Sequence, residues 1–316
     1  MSRPNLGRGA CVGIGKETTW GTTASATVWM GLVSETMSRN LEKKPRPTLA
    51  EASGSANRRG HYTGLDNVGG SVTVELTYEG FGLLMEHMLG GTASTTGPSG
   101  GLYTHTIALS ATPQVGLSVY VNKGQGSTEI FSGCKISKAT LKAVAGQVVV
   151  VTLELIAKTS DSRASTTSPA WTTSRDLIAK HNQAGLVGWN STTESCRSVE
   201  LTIDNKVVRR NNLGSPNTLE PVTGDFVEIT MKAEVEYFSD AKYVAWLADT
   251  QGDLTFTLSG PTSYAIAITL QNAYLNSYAD PVSAPGVIMQ QVEWTGESDG
   301  TDEGLKVVIT NSQATA

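Results

Sequence analysis

The sequence predicts an all-β protein made of two tandem β-sandwich domains, each with one short helix packed on its sheet. Three observations carry that prediction. The first is an ordered recurrence. Val74-Glu75-Leu76-Thr77 opens a strand that runs into "YEGFGLLMEHMLG" (78–90), and Val227-Glu228-Ile229-Thr230 opens one that runs into "VEYFSDAKYVAWLAD" (235–249). A polar strand ending in Asn precedes each, "SETMSRN" (34–40) and "VELTIDN" (199–205). A hairpin follows each, with an acid between apolar residues: Leu153-Glu154-Leu155 and Val292-Glu293-Trp294. Four segments in one order, with loops of different length, mark a duplicated domain, and duplicated β domains often build rings. The second observation is strict alternation: Val72, Val74, Leu76 and Tyr78 interleave with Thr73, Glu75, Thr77 and Glu79, the period of a half-buried strand. The third is composition. Charged residues are 17% and aromatics 6%, so amphipathic helices are disfavoured.

Taken in order, residues 1–27 read as a Gly- and Thr-rich arm with little core of its own. The first domain spans 28–158, with a strand from about 29 to 41. A long polar loop at 42–70, "EKKPRPTLAEASGSANRRGHYTGLDNVGG", forms the tip of a hairpin. The alternating strand leads into a helix over about 81–89, with Leu84, Met85 and Met88 on one side and Gly90-Gly91 as a stop. "TASTTGPSGG" (92–101) reads as a loop, and strands follow near 103–109, 117–122, 129–143 and 147–157. Residues 159–190 read as a Ser/Thr-rich linker. The second domain, 191–316, repeats the plan: strands near 197–209 and 225–237, a helix near 239–248, then strands near 253–258, 264–276, 286–295 and 304–310. A chain of 316 residues suits two cores of about 150 better than one.

Function classes can be excluded on chemistry. "GPSGG" (97–101) matches a nucleophile-elbow pattern at Ser99, but that motif needs a strand entering and a helix leaving, and the order here is reversed. His61, His87, His105 and His181 fall in separate segments without metal-ligand spacing. "GRGACVGIG" (7–15) lacks dinucleotide-binding spacing. No catalytic residue, cofactor or metal is expected. Cys11, Cys134 and Cys196 show neither CxxC nor zinc spacing and are expected as free, mostly buried thiols. The first twenty residues carry no apolar stretch of signal-peptide length, and no segment approaches the ~20 apolar residues of a membrane span, so assembly in a cytoplasm without membrane contact is expected. The net charge of −5 argues against a surface that wraps phosphates.

Two charge patterns remain. Lys43, Lys44, Arg46, Arg58 and Arg59 make the first long loop basic; it is either a solvated tip or a docking arm for an acidic surface on a neighbouring copy. Acids stand at matching places in the repeat, Glu75 with Glu228, Glu154 with Glu293 and Glu35 with Glu200. Each lies on the polar side of a strand. They are either ordinary solvent-facing charges or the negative wall of a channel that repels phosphates.

Three stretches carry a family resemblance. "GIGKETTWGT" (13–22) is a Gly-x-Gly-x-Glu arm before an aromatic and Gly-Thr. "GSVTVELTYEGFGLLMEHMLGG" (70–91) is a strand-then-helix unit after a long hairpin loop. "IFSGCKISKATLKAVAGQVVVVTLEL" (130–155) is a hairpin opened by Phe131-x-Gly133. In that order they resemble the tail tube (major tail) proteins of long-tailed bacteriophages. The resemblance implies a structural virion protein whose strands join those of other copies in one β-barrel around a lumen. Rings would stack into the tail tube, with double-stranded DNA passing through without specific binding. It also implies tape measure, tail terminator and tail tip proteins as partners. Most such subunits carry one unit and form hexamers; two units per chain would give a trimeric, pseudo-sixfold ring. On this reading Glu75, Thr77, Glu154, Glu200, Thr202, Glu228, Thr230 and Glu293 are the lumen-facing candidates, and the basic loop contacts the next ring. A contractile-tail inner tube is a neighbouring possibility. The competing class is a two-domain, Ig-like adhesin or binding module of a phage tail or cell surface; its loop tips would carry aromatic clusters, whereas these carry Gly, Ser, Thr and Asn.

Overall fold

The computed structural model describes residues 9–47, 60–112, 114–124, 128–161, 177–187, 193–282 and 285–315. In chain order the first part runs β1 (Cys11–Lys16), β2 (Val28–Glu35), β3 (Ser38–Pro45), β4 (His61–Glu75), α1 (Phe81–Leu89), β5 (Ser94–Ser99), β6 (Leu102–Ala108), β7 (Leu117–Asn122), β8 (Thr128–Val144), β9 (Val150–Ala157) and the two-residue β10 (Thr159–Ser160). Six of these strands close on themselves: β1 pairs with β2, β2 with β4, β4 with β9, β9 with β8, β8 with β7, and β7 with β1, all antiparallel. Closure leaves no free edge inside this unit. Alternation is what lets each strand face a core. In β4, Val68, Val72 and Val74 are buried while Ser71, Thr73 and Glu75 point the other way. In α1 nearly every residue is buried, Phe81, Leu84, Met85 and Met88 among them. Left-handed glycines Gly80 and Gly90 bracket the helix; a Cβ on Gly90 would come within 2.8 Å of the carbonyls of Ser110 and Thr112.

The second part runs β11 (Ala184–Val187), β12 (Thr193–Glu194), β13 (Cys196–Asp204), β14 (Val207–Arg210), β15 (Leu219–Thr223), β16 (Glu228–Glu236), α2 (Ala241–Leu247), β17 (Gln251–Ser259), β18 (Ala265–Ala279), β19 (Met289–Thr295) and β20 (Leu305–Asn311). Strand β13 pairs with β8 on one side and β16 on the other, so the sheet runs unbroken from the first part into the second. It continues through β19 to the C-terminal half of β18. The N-terminal half of β18 lies between β17 and β20, and β20 pairs with β6, so the C-terminal strand returns to the first part. Leu201, Met231, Trp294, Phe256, Ile268 and Val307 join the same core cluster as the barrel residues.

The two parts match in register as well as in order. Pairing of β2 with β4 slips between Leu32 and Ser34, and pairing of β13 with β16 slips between Cys196 and Ser198. The β8–β9 slip between Ile136 and Lys138 recurs in β18–β19 between Leu275 and Ser277. The β7–β8 slip between Leu117 and Val119 recurs in β17–β18 between Gly252 and Leu254. Each such irregularity is a bulge that re-aims the strand. At the third pair, left-handed residues occupy the same place, Gly133 (φ 66°) and Asn272 (φ 50°). Those residue types tolerate that conformation best.

Several sequence expectations need correction. The stretch 1–27 is more than an arm: β1 is a buried barrel strand, and Glu17 behind it is 1% exposed. The Glu17 carboxylate accepts from Gly21 N at 2.7 Å, Ser118 Oγ at 2.8 Å and Gly133 N at 2.8 Å, and the Trp20 indole donates to Gly133 O at 3.1 Å. The expected loop 92–101 contains β5, paired with β6 in a hairpin. The single strand expected at 29–41 is two, β2 and β3. The linker region enters the fold at both ends, through β10 and through backbone bonds from Tyr78 N to Leu177 O and Ala179 N to Leu76 O. Expectations for both helices and for free thiols hold: all three cysteines are unbridged, Cys11 and Cys134 are buried, and burial pushes the Cys134 thiol well up.

Candidate functional site: a polar sheet face with two open edges

Across β4, β9, β8, β13, β16 and β19, one sheet face packs inward and the other carries polar side chains in register. One cross-strand row is Thr73, Thr152, Thr140, Thr202, Thr230 and Thr295, a threonine on each of six consecutive strands. Thr73 Oγ1 and Thr152 Oγ1 are 3.0 Å apart. Threonine is favoured here because its branched side chain packs on a pleated surface while its hydroxyl bonds across strands. The next row is Glu75, Val150, Lys142, Glu200, Lys232, Glu293 and Ser277. Its acids and amines alternate: Lys142 Nζ lies 3.3 Å from Glu200 and Lys232 Nζ 3.0 Å from Glu293. On the other side of the threonines run Ser71, Glu154, Lys138, Asp204 and Glu228. Lys206 Nζ bridges Glu228 at 2.7 Å and Asp204 at 3.0 Å. Glu228 first, then Asp204, raise the Lys206 ammonium pKa. Partial burial would raise that of Asp204, but the Lys206 backbone and ammonium hold it below its usual value.

Seven of the eight sequence candidates therefore share one face: Glu75, Glu154, Glu200, Thr202, Glu228, Thr230 and Glu293. Thr77 does not join them. It lies past the end of β4, is 5% exposed, and donates its hydroxyl to Glu79 O at 2.6 Å. The acids do not stand alone on this face, because Lys138, Lys142, Lys206 and Lys232 stand among them. The paired positions shift too. Glu154 faces Ser71 and Glu293 faces Lys232. If those two acids are equivalent, the counterpart of Glu75 is Glu236, the last residue of β16, and not Glu228. By the β2 and β13 bulges the counterpart of Glu35 is Val199, not Glu200. Thr202 and Thr230 are legible as candidates in the sequence, but the amines and the other four threonines of the row emerge only once the register is known.

The face ends in two open edges. Among the described residues, β3 pairs only with β4, and residues 275–279 of β18 pair only with β19. These are the counterparts of β13 and β8, the two strands joined inside the chain. In the basic hairpin, Lys43 and Lys44 are exposed on β3, with Lys44 Nζ 3.0 Å from Glu42. Arg46 bonds through its backbone N to Gly60 O at 3.3 Å, while Arg58 and Arg59 lie outside the described residues. None of the catalytic alternatives gains support: Ser99 ends β5 in a β–β hairpin, and no metal-binding cluster of His, Cys, Asp or Glu occurs among the described residues. No helix of the described residues is long and apolar enough to cross a membrane.

Residues 7–296 match the phage tail tube protein family. The chain belongs to that family. It is thus a structural component of a phage virion tail, and the family's role implies self-assembly into a tube. No curated protein matches the chain. The match extends over both parts, and the two open edges and the polar face fall within it.

Proposed function

We propose that this tail tube protein polymerises as stacked trimeric rings whose polar sheet face lines the channel for DNA ejection. The observation that carries this reading is the β8–β13 junction. It joins two equivalent four-strand units edge to edge, β3-β4-β9-β8 and β13-β16-β19-β18, and the outer edges of the pair are the same two strand types left open. Transferring the internal register sets Ser38 opposite Ala279, Arg39 opposite Tyr278 and Asn40 opposite Ser277 of the next copy.

The stagger supports closure. Thr73 lies in line with Thr230, whereas its equivalent by bulge position is Glu234, four residues further along β16. A shift of four residues per four strands gives a strand tilt of about 36°, within the range of closed barrels. Three chains would supply 24 strands and a backbone radius of about 23 Å, wider than a duplex. Its wall would be hydroxyls and neutralised ion pairs, Glu234 with Arg197 at 3.6 Å among them, with excess acid at Glu75 and Glu154, a surface that offers phosphates no unpartnered row of cations. The tape measure protein would occupy this lumen before ejection, and terminator and tip proteins would close the ends. Lys43, Lys44 and Arg46 belong to the hairpin that would reach the adjacent ring.

Negative-stain electron microscopy of the concentrated full-length chain tests this reading. Hollow rings or tubes with an axial channel are expected. Persistent solid monomers, even with tail tip complexes added as initiator, would instead favour the binding module. Replacing Glu75, Glu154 and Glu200 by Lys should leave tubes intact and impair ejection; normal ejection would remove the electrostatic role.

A further inference from the structure

The two helices occupy equivalent places yet differ in cover. Helix α1 packs on β6 and β8, and its C-terminal end is met by the second part: Asn205 Nδ2 donates to Met88 O at 3.0 Å and to Ile136 O at 3.1 Å. Helix α2 packs on β18, where Trp246 stacks on Tyr278 and Tyr243 meets the same ring at a tilt. Nothing described covers its other side, where Val244 is 59% and Leu247 63% exposed. Counting from each helix start, these are the positions of Leu84 and His87 in α1. The strand residue that should meet α2 is fixed by register. Asp204 corresponds to Asn40, so the counterpart of Asn205 is Leu41. Leu41 is itself 40% exposed, on the β3 side that carries Arg39 and faces away from the polar rows.

Resting on the ring reading, we infer that Leu41 of one copy seats against Val244 and Leu247 on α2 of the next. The substitution pattern fits a change of partner. Inside the chain the junction is covalently tethered, and a polar Asn205 suffices to cap the helix carbonyl. Between copies the two pieces must find each other, and apolar surface on both sides supplies the driving force. Leaving that surface on a monomer would be a liability unless a partner buries it.

Full-length Leu41→Cys/Leu247→Cys, in a Cys196→Ser background, should form chain-to-chain disulfides on mild oxidation of assembled rings. Single Leu41→Asp and Leu247→Asp variants should keep the monomer's circular dichroism and melting temperature while the assembled fraction falls ~tenfold or more, as for a buried unpaired charge. Combining Leu41→Asp with Leu247→Lys should restore part of it. Rings that form normally in both Asp variants, with no cross-link in the Cys pair, would overturn the seat and leave the tube reading standing. Absence of rings in the parent chain would overturn both.

Discussion

Helices α1 and α2 are the same device in two settings. Each follows the long strand of its unit and lies on the sheet's apolar side, but α1 is almost wholly buried and α2 has no buried residue. Leu84 and Met85 in α1 correspond to Val244 and Ala245 in α2, and only the first pair is sunk in the core. The extra cover on α1 comes from β6 and β8 of its own part and, at its C-terminal end, from Asn205 of the second, all within one polypeptide. The α2 face is completed, on the account above, by another copy.

The two helices should differ most at matched positions. Leu84→Ala should cost about 2–5 kcal/mol, the range for emptying a core site. Val244→Ala should change the monomer by no more than about 0.5 kcal/mol. Denaturant unfolding of the two variants measures this; equal costs would erase the distinction between the helices. His87 sharpens it. Burial pushes its pKa down to about 4, against carbonyl partners Leu83 O and Gly116 O that pull the other way. Because the folded pKa lies below the unfolded one, the stabilisation is fully present above about pH 6.5 and is lost as pH falls toward 4. At most it amounts to about 3 kcal/mol. Across that window the parent's melting temperature should fall relative to that of His87→Leu; a difference that stays constant with pH would remove the role. The smallest expected effect is at the matched bulges. Gly133→Ala puts a Cβ 2.8 Å from Lys158 Cβ and 3.1 Å from the Trp20 ring at φ 66°, and should cost about 1–3 kcal/mol. Asn272→Gly should stay within about 0.5 kcal/mol, since glycine accepts the same conformation. Chemical denaturation distinguishes them.

Legibility in the sequence tracked local physics. The alternation in β4 and the apolar stripe and glycine stop of α1 depend on nearest neighbours, and both appear where the residues place them. Strand β1 was missed because Gly13 and Gly15 weaken its strand signal, yet those glycines are needed: a Cβ on Gly13 would lie 2.9 Å from the Trp29 ring. Strand β5 was missed because "STTGPS" reads as a turn and is fully exposed. On the polar face, the acids were found because charge on an alternating strand is visible in one dimension. The alignment of Thr202 and Thr230 with four further threonines, and the lysines between the acids, were not, because register is set by bulges far apart in the chain. Matching "VELT" to "VEIT" by letters also displaced the repeat by eight residues. Counting back from the helices, Glu75 lies six residues before Phe81 and Glu236 five before Ala241, and that spacing carried the truer correspondence.

Native mass spectrometry of isolated rings tests the central claim, that one chain contributes two equivalent units to the ring. Three copies of the 33.3 kDa chain per ring are predicted, with six similar lobes in electron microscopy of the same particles. Rings of six chains would contradict it, because the second unit would then lie outside the barrel wall and the matched bulges would have no bearing on the symmetry.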